Sequence, residues 1–414
     1  MPEIFPRSSH ALVIEALADT RVVLLMGARQ VGKSTLAQEI VREEYPARVV
    51  NLDEQPQREA ALQDPEGFIA GLERPVLIDE VQRGGPDLFL AIKAIVDADQ
   101  SPGQFLLTGS ANVLRSRKVY EALTGRMEII RLAPLMQAEI SRSDLNFVDA
   151  LFAGKPPSVE GAPKGREALV EWLAPGGYPE ARMRPPNRRV RWFESYIQTT
   201  LERDLKDISQ VRKLNEMPRL LRLIASQAAN LFKARAISGK LAINHETVGD
   251  HVSLLEAVFL VHRLPAWRPG IGNREIQHSK IYVSDTGLLL YLLGADERRL
   301  LEDDQITGKA LENFVAMEIV RHAESSEEIP RVFHYRRDRD EVDLVLENRA
   351  GEICAVEVKA SASIRDKDWQ ALARLRDARS KSFRCGVLLY AGAQTIPLGD
   401  RLFAVPLSGL WAKT

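Results

Sequence analysis

The stretch Val22-Val23-Leu24-Leu25-Met26-Gly27-Ala28-Arg29-Gln30-Val31-Gly32-Lys33-Ser34 decides how the N-terminal part of this chain folds. Its first five residues are a short uninterrupted apolar run, which reads as a buried strand. They lead into G-x-x-x-x-G-K-[ST], matched at every specified position from Gly27 to Ser34, and Thr35-Leu36-Ala37-Gln38-Glu39-Ile40-Val41 continues as a helix. Strand, glycine loop and helix in that order turn backbone N–H groups and a helix N-terminus toward the phosphates of a nucleoside triphosphate. Gly27 and Gly32 allow the backbone to approach, and Gln30 and Thr35 complete the nucleotide-binding set. Lys33 is expected to reach the β- and γ-phosphates, and Ser34 to ligate Mg²⁺.

Outward from this loop, Pro75-Val76-Leu77-Ile78 is a second apolar strand ending in Asp79-Glu80. In a parallel sheet an acid at that end lies beside the phosphate loop. Asp79 is therefore the expected Mg²⁺ residue, and Glu80 the carboxylate that orients or deprotonates the attacking water. A third strand, Gln104-Phe105-Leu106-Leu107, ends in Thr108-Gly109-Ser110-Ala111-Asn112, and Leu123-Thr124-Gly125-Arg126 precedes another, Met127–Leu132. This layout resembles the AAA+ ATPases. The resemblance implies a γ-phosphate sensor at Ser110, or failing that Asn112. It also implies an arginine finger at Arg126, acting on a neighbouring subunit's nucleotide in a ring that is commonly hexameric; an ordinary surface arginine is the alternative.

The chain has 414 residues, which argues for about two to three domains. Its apolar fraction of 45% and charged fraction of 27% are those of folded globular proteins, so disorder is excluded as a dominant state. A formal net charge of -1 leaves any nucleic-acid contact to local patches. Cys354 and Cys385 lack paired metal-ligand spacing and read as reduced thiols. Met1 to His10 carries Pro, Glu and Arg, and the longest apolar runs, Val22–Met26 and Leu288–Leu293, are far short of a membrane span. The expectation is a cytoplasmic protein without a membrane segment.

A Pro-, Gly- and charge-rich stretch from about Ser141 to Lys164 marks the end of the nucleotide-binding unit. After Gly176-Gly177-Tyr178-Pro179-Glu180 come Arg182, Arg184, Arg188, Arg189 and Arg191, interleaved with Trp192 and Phe193. This basic run fits either a phosphate backbone or pairing with Glu194, Glu202 and Asp204. From Glu216 to Trp267 the periodicity predicts three helices, with Val258–Val261 and Ala266-Trp267 as wing strands. That is a winged helix-turn-helix with His245, Glu246 and Thr247 opening its recognition helix. Glu246 and Asp250 on its exposed face leave a packing module as open as a DNA reader.

Farther on, a helix over Gly308–His322 carries Glu312, and two strands, Val342–Leu346 and Ile353–Lys359, form a hairpin turning at Arg349-Ala350-Gly351. Period-two alternation puts Glu357 and Lys359 on one face. A helix acid, a strand Asp and Glu-x-Lys on the next strand are similar to the PD-(D/E)xK restriction-endonuclease-like nucleases, which include archaeal Holliday-junction resolvases. That resemblance implies Mg²⁺, or Mn²⁺, on Asp343 and Glu357 with Glu312 as the helix acid, and Lys359 positioning water or neutralising charge. The usual Pro before the first Asp is absent, Glu341-Val342 occupying its place. Relatives of this fold either cut nucleic acid or only bind it.

Taken together, the phosphate loop, the Leu-Thr-Gly-Ser string, Gly-Gly-Tyr-Pro-Glu and Tyr-Val-Ser-Asp-Thr-Gly-Leu resemble a family of bacterial and archaeal AAA+ ATPases that join an AAA domain to a C-terminal domain of unknown function with an endonuclease-like fold. The expected architecture is α/β: a three-layer P-loop AAA+ domain with a parallel sheet at 1–140, a helical linker or lid at 141–215, a winged helix-turn-helix at 216–275, and a restriction-endonuclease-like α/β domain at 276–414. The expected function is a Mg²⁺-dependent, ATP-driven homo-oligomeric ring motor on DNA, branched DNA included, with the nuclease-like domain attached. The rival is a regulatory switch NTPase with a non-catalytic C-terminal binding module.

Overall fold

The computed structural model describes residues 4–110, 123–205, 216–268, 278–337 and 340–412. The expected secondary sensor, Asn112, lies outside them. Strands β1 (Val22–Gly27), β2 (Arg48–Asn51), β3 (Val76–Asp79), β4 (Phe105–Gly109) and β5 (Met127–Leu132) form one sheet in the order β2-β3-β4-β1-β5. Every pairing in it is parallel. Alternate residues of the apolar runs go to opposite faces. Val23, Leu25, Leu77 and Leu106 pack with α1 (Ser9–Asp19) and α2 (Lys33–Glu43). Val22, Leu24, Val76, Ile78, Phe105 and Leu107 pack with α3 (Gln55–Gln63), α4 (Pro65–Ala70) and α5 (Gly85–Ala98). Burial on both faces is why these strands are continuously apolar, and the result is the three-layer α/β arrangement expected.

The stretch expected to be a linker or lid belongs to two different cores. Helices α7 (Phe147–Phe152) and α8 (Arg166–Leu173), which follow α6 (Gln137–Ser141), pack on the C-terminal sheet. Helix α10 (Pro186–Thr199), after α9 (Pro179–Arg182), instead joins the core of α1 and α2 through Trp192, Phe193, Tyr196 and Ile197. The same core continues into α11 (Met217–Ser226), where Met217, Leu220, Leu221 and Ile224 make one apolar stripe. Then come β6 (Asn230–Leu231), α12 (Ala234–Leu241), α13 (His245–Ala257), β7 (Val261–Leu264) and β8 (Lys280–Val283). The strands form an antiparallel sheet in the order β6-β8-β7. The three helices match the periodicity, but the strands are not those expected. Ala266 bridges to His334 instead of forming a wing strand, and the boundary placed at 275/276 lies outside the described residues.

Helices α14 (Thr286–Leu293), α15 (Glu297–Glu302) and α16 (Asp304–Glu324) lead to the C-terminal sheet. Its strands are β9 (Arg331–Arg337), β10 (Asp340–Glu347), β11 (Ile353–Lys359), β12 (Phe383–Tyr390), β13 (Ile396–Gly399) and β14 (Leu402–Pro406), ordered β13-β14-β12-β11-β10-β9. Neighbours β9, β10 and β11 are antiparallel, whereas β11 and β12 are parallel across α17 (Gln370–Ala378). One face packs on α16 through Leu344, Leu346, Cys354 and Val356, the other on α17 through Val345, Ile353 and Ala355. Asp343 does not begin its strand, as expected, but lies within it, where the register against β9 shifts between Val342 and Val345.

Candidate functional site

The phosphate loop joins β1 to α2 with two residues in left-handed conformation, Gln30 (φ 60) and Gly32 (φ 100), the latter capping α2. Gly27 is required by crowding: a Cβ there would stand 2.1 Å from the Leu132 carbonyl oxygen on β5. The buried Lys33 ammonium donates to the carbonyls of Ala28 (2.9 Å) and Gly27 (3.2 Å). Ser34 Oγ donates to Asp79 Oδ1 at 2.8 Å, so the two expected Mg²⁺ residues come together across 45 positions of sequence. A hydroxyl and a carboxylate so joined at a helix N-terminus fit a Mg²⁺–nucleotide. Gln30 on the loop and Thr35 in the first turn of α2 are exposed.

Asp79 also accepts a hydrogen bond from the Thr108 hydroxyl, whose oxygen in turn accepts the Glu80 N–H at 3.1 Å. Glu80 is left-handed (φ 55), and Gln82 Nε2 holds its carboxylate at 2.6 Å. The sequence reading assigned no role to Thr108. Ser110 lies just past β4, buried, and its Oγ has no hydrogen-bond partner among the described residues. Arg126 sits at the opposite end of the sheet from the loop and grips Asp97 of its own chain, Nη2 to Oδ2 at 3.0 Å. Here the Asp97 hydrogen bond and charge raise the guanidinium's pKa.

Arg7 was missed entirely. Its guanidinium donates to the loop carbonyl of Val31 (2.7 Å) and to Ala133 O (2.6 Å), and it pairs with Glu139 (3.1 Å). Glu139 also accepts the N–H groups of Ser8 and Met136, tying the N-terminal segment to the chain leaving β5. No motif marks this residue, because its partners are backbone oxygens. The basic run of α9 and α10 meets the loop: Arg184, Arg188 and Arg191 line a cleft of about 460 Å³ with Arg29 and Gln30. Among the described residues Arg184 pairs with Glu180 and Arg189 with Glu297, while the side chain of Asp204 lies outside them.

A second cluster lies in the C-terminal half. Glu312 on α16, Asp343 on β10 and Glu357 and Lys359 on β11 come together as the motif requires, but a residue of β8 stands among them. Lys280 Nζ is 2.8 Å from Glu312 Oε1, 2.9 Å from Glu341 Oε1 and 3.4 Å from Asp343 Oδ1. Asp343 Oδ2 accepts the Val358 N–H at 3.0 Å, and Glu357 accepts the Asp343 N–H at 3.3 Å and pairs with Lys359 at 2.6 Å. Burial, then the Asp343 charge, pushes Glu312 up to about 7 and Glu357 up to about 8, against the pull of their lysines. Burial alone would lower the Lys280 pKa, but the charges of Asp343, Tyr282, Glu312 and Glu341 outweigh it and raise it. Among the described residues no group of three His, Cys, Asp or Glu is arranged to hold a metal ion. Of the residues expected to hold the metal, Glu312 and Asp343 thus face the Lys280 ammonium and Glu357 faces that of Lys359.

Among known proteins, a family model described as an AAA domain matches residues 19–141. Domain of unknown function (DUF8612) matches 166–299 and Domain of unknown function (DUF4143) matches 307–410. The uncharacterized protein Rv2008c of Mycobacterium tuberculosis is 30% identical over 403 residues, covering 97% of this chain and 83% of that protein. The uncharacterized protein Mb2031c of Mycobacterium bovis matches with the same figures. Of solved structures, the Thermotoga maritima RuvB Holliday junction branch migration motor matches at 17% identity and a TM-score of 0.30, over 63% of this chain and 90% of that one. A signal transduction ATPase with numerous domains (STAND), PH0952 from Pyrococcus horikoshii, matches at 10% identity and a TM-score of 0.20, over 78% of this chain and 48% of that one. Overlaps that loose carry no functional argument. No helix among the described residues is long and apolar enough to cross a membrane.

Proposed function

The chain belongs to the same family as the mycobacterial proteins Rv2008c and Mb2031c, with an AAA domain at residues 19–141, and on that premise we propose that it is a Mg²⁺-dependent ATPase acting on DNA in the cytoplasm. The observation that carries the ATPase reading is the convergence of Lys33, Ser34, Asp79 and Glu80 at the C-terminal ends of β1 and β3. Lys33 and the loop N–H groups would hold the β- and γ-phosphates, and Ser34 and Asp79 the Mg²⁺, which neutralises charge on the phosphoryl group. Glu80 would orient the attacking water, with Gln82 fixing one of its oxygens and Thr108 its backbone. Ser110, buried and without a hydrogen-bond partner for its Oγ among the described residues, is suited to meet the γ-phosphate.

Action on DNA is supported by the order α11-β6-α12-α13-β7-β8, which is that of a winged helix, and by the exposed Arg188 and Arg191 beside the loop. Assembly into a ring, with Arg126 reaching a neighbour's nucleotide, belongs to the same reading, as do domains at 1–140, 141–215, 216–275 and 276–414 in outline. The chain order of Glu312, Asp343, Glu357 and Lys359 speaks for a nuclease-like C-terminal domain. A second reading, a regulatory switch NTPase with a non-catalytic C-terminal module, is favoured by Lys280 among those carboxylates and by the exposed acids Glu246 and Asp250 on α13.

The test measures ATP turnover of the full chain with and without linear, forked and four-way-junction DNA, with Lys33→Ala as control. Turnover that DNA stimulates several-fold, and that the Lys33 change abolishes, supports the DNA-acting ATPase. Turnover indifferent to all three DNAs moves the switch reading to first place, and wild-type turnover in Lys33→Ala removes the phosphate-loop assignment.

A further inference from the structure

We propose that Lys280 takes the place of a divalent cation in the C-terminal carboxylate cluster, so that this nuclease-like site is closed by an ammonium of its own chain and takes up neither Mg²⁺ nor Mn²⁺. The inference deepens the nuclease-like reading and rests on it for the expectation that a metal would otherwise bind.

Three observations carry it. The first is stoichiometry of donors. A lysine ammonium has three N–H groups, and Lys280 Nζ has three carboxylates around it, those of Glu312, Glu341 and Asp343, at 2.8, 2.9 and 3.4 Å. A divalent cation would need oxygens of those same carboxylates at about 2.0–2.6 Å. An ammonium already among them blocks that space and repels a second positive charge.

The second is how firmly Lys280 is delivered. It opens β8, the central strand of the sheet β6-β8-β7, and its side chain is 3% exposed. Its backbone is fixed in a strand bonded on both sides, so the side chain is delivered from a rigid base. A lysine on a loose surface loop would be displaced by a cation; this one is part of the packing between the middle and C-terminal parts of the chain.

The third is that both oxygens of Asp343 and both of Glu357 are already engaged within the chain. Asp343 Oδ2 takes the Val358 N–H, and Glu357 takes the Asp343 N–H and Lys359. Tyr282, two residues along β8, reaches Glu312 Oε1 at 3.5 Å. Each of the four carboxylates thus already meets at least one cation or donor drawn from the chain.

The test counts Mn²⁺ bound to the nucleotide-free full chain by electron paramagnetic resonance of the free ion. Wild type is compared with Asp343→Asn, Lys280→Met and Lys280→Met/Asp343→Asn; any ion at Ser34 and Asp79 is common to all four and cancels. Equal counts in wild type and Asp343→Asn, one more ion in Lys280→Met and its loss in the double variant are expected. In thermal melts Lys280→Met should fall several degrees below wild type and recover with Mn²⁺. A wild type that binds one ion more than Asp343→Asn overturns the proposal while leaving the nuclease-like reading standing, and this comparison holds even if Lys280→Met does not fold. A folded Lys280→Met that gains no ion overturns both.

Discussion

The Thr108 hydroxyl, at the end of β4, donates its hydrogen bond to the Asp79 carboxylate at the end of the adjacent strand β3. The same oxygen accepts the Glu80 N–H, so one side chain orients the expected Mg²⁺ ligand and the backbone of the expected base. Hydrogen bonds to charged groups contribute about 1.5–3 kcal/mol, which corresponds to roughly 10–100-fold in rate if the geometry matters most in the transition state. Thr108→Val, which keeps the shape and removes the hydroxyl, should lower ATP turnover by that factor with folding intact. Turnover within twofold of wild type would reduce the contact to a structural one.

Glu80→Gln should retain ATP binding and lose hydrolysis by at least about a hundredfold, because the amide keeps the hydrogen bond to Gln82 but cannot accept a proton from water. Fluorescent-nucleotide titration beside a phosphate-release assay separates the two effects. A variant that neither binds nor hydrolyses would show that the left-handed turn at Glu80, not its carboxylate chemistry, is what the site needs.

Arg126 is held by Asp97 at the end of the sheet away from its own phosphate loop, so any effect on hydrolysis must come through another copy. Arg126→Ala is expected to cut turnover more than tenfold at protein concentrations where the chain is oligomeric, with nucleotide affinity unchanged. Turnover unaltered at every concentration would leave Arg126 as the partner of Asp97 alone.

His322 on α16 is fully buried, and the Phe147 N–H donates to its Nδ1 at 3.4 Å. Burial lowers its pKa from 6.5 to about 4, so the folded protein favours the neutral ring. Its contribution to stability is present above pH 6.5 and is lost as the pH falls toward 4. Between pH 7 and 4.5 the loss is on the order of 2 kcal/mol. Urea unfolding should therefore show wild type losing about that much more stability over this interval than His322→Gln, which does not titrate. Parallel losses in the two proteins would contradict a neutral buried His322.

Local chemistry was legible in the sequence. The phosphate loop is eight consecutive residues whose glycines, lysine and hydroxyl act through backbone conformation and a helix start, so Gly27 to Ser34 could be read without knowing what lies around them. The same holds for Asp79 at the end of an apolar strand and for the shared face of Glu357 and Lys359, which follows from strand alternation. Tertiary structure decided what depends on strand order and on which surfaces meet. It put Thr108 beside Asp79, gave Arg7 its carbonyl partners, and divided the expected linker between two cores. It also brought Lys280 to carboxylates 32, 61 and 63 positions away. Composition says nothing about such a contact, because the ammonium is a surface group by every local rule. A buried position becomes favourable for it where the fold gathers three negative charges to receive it.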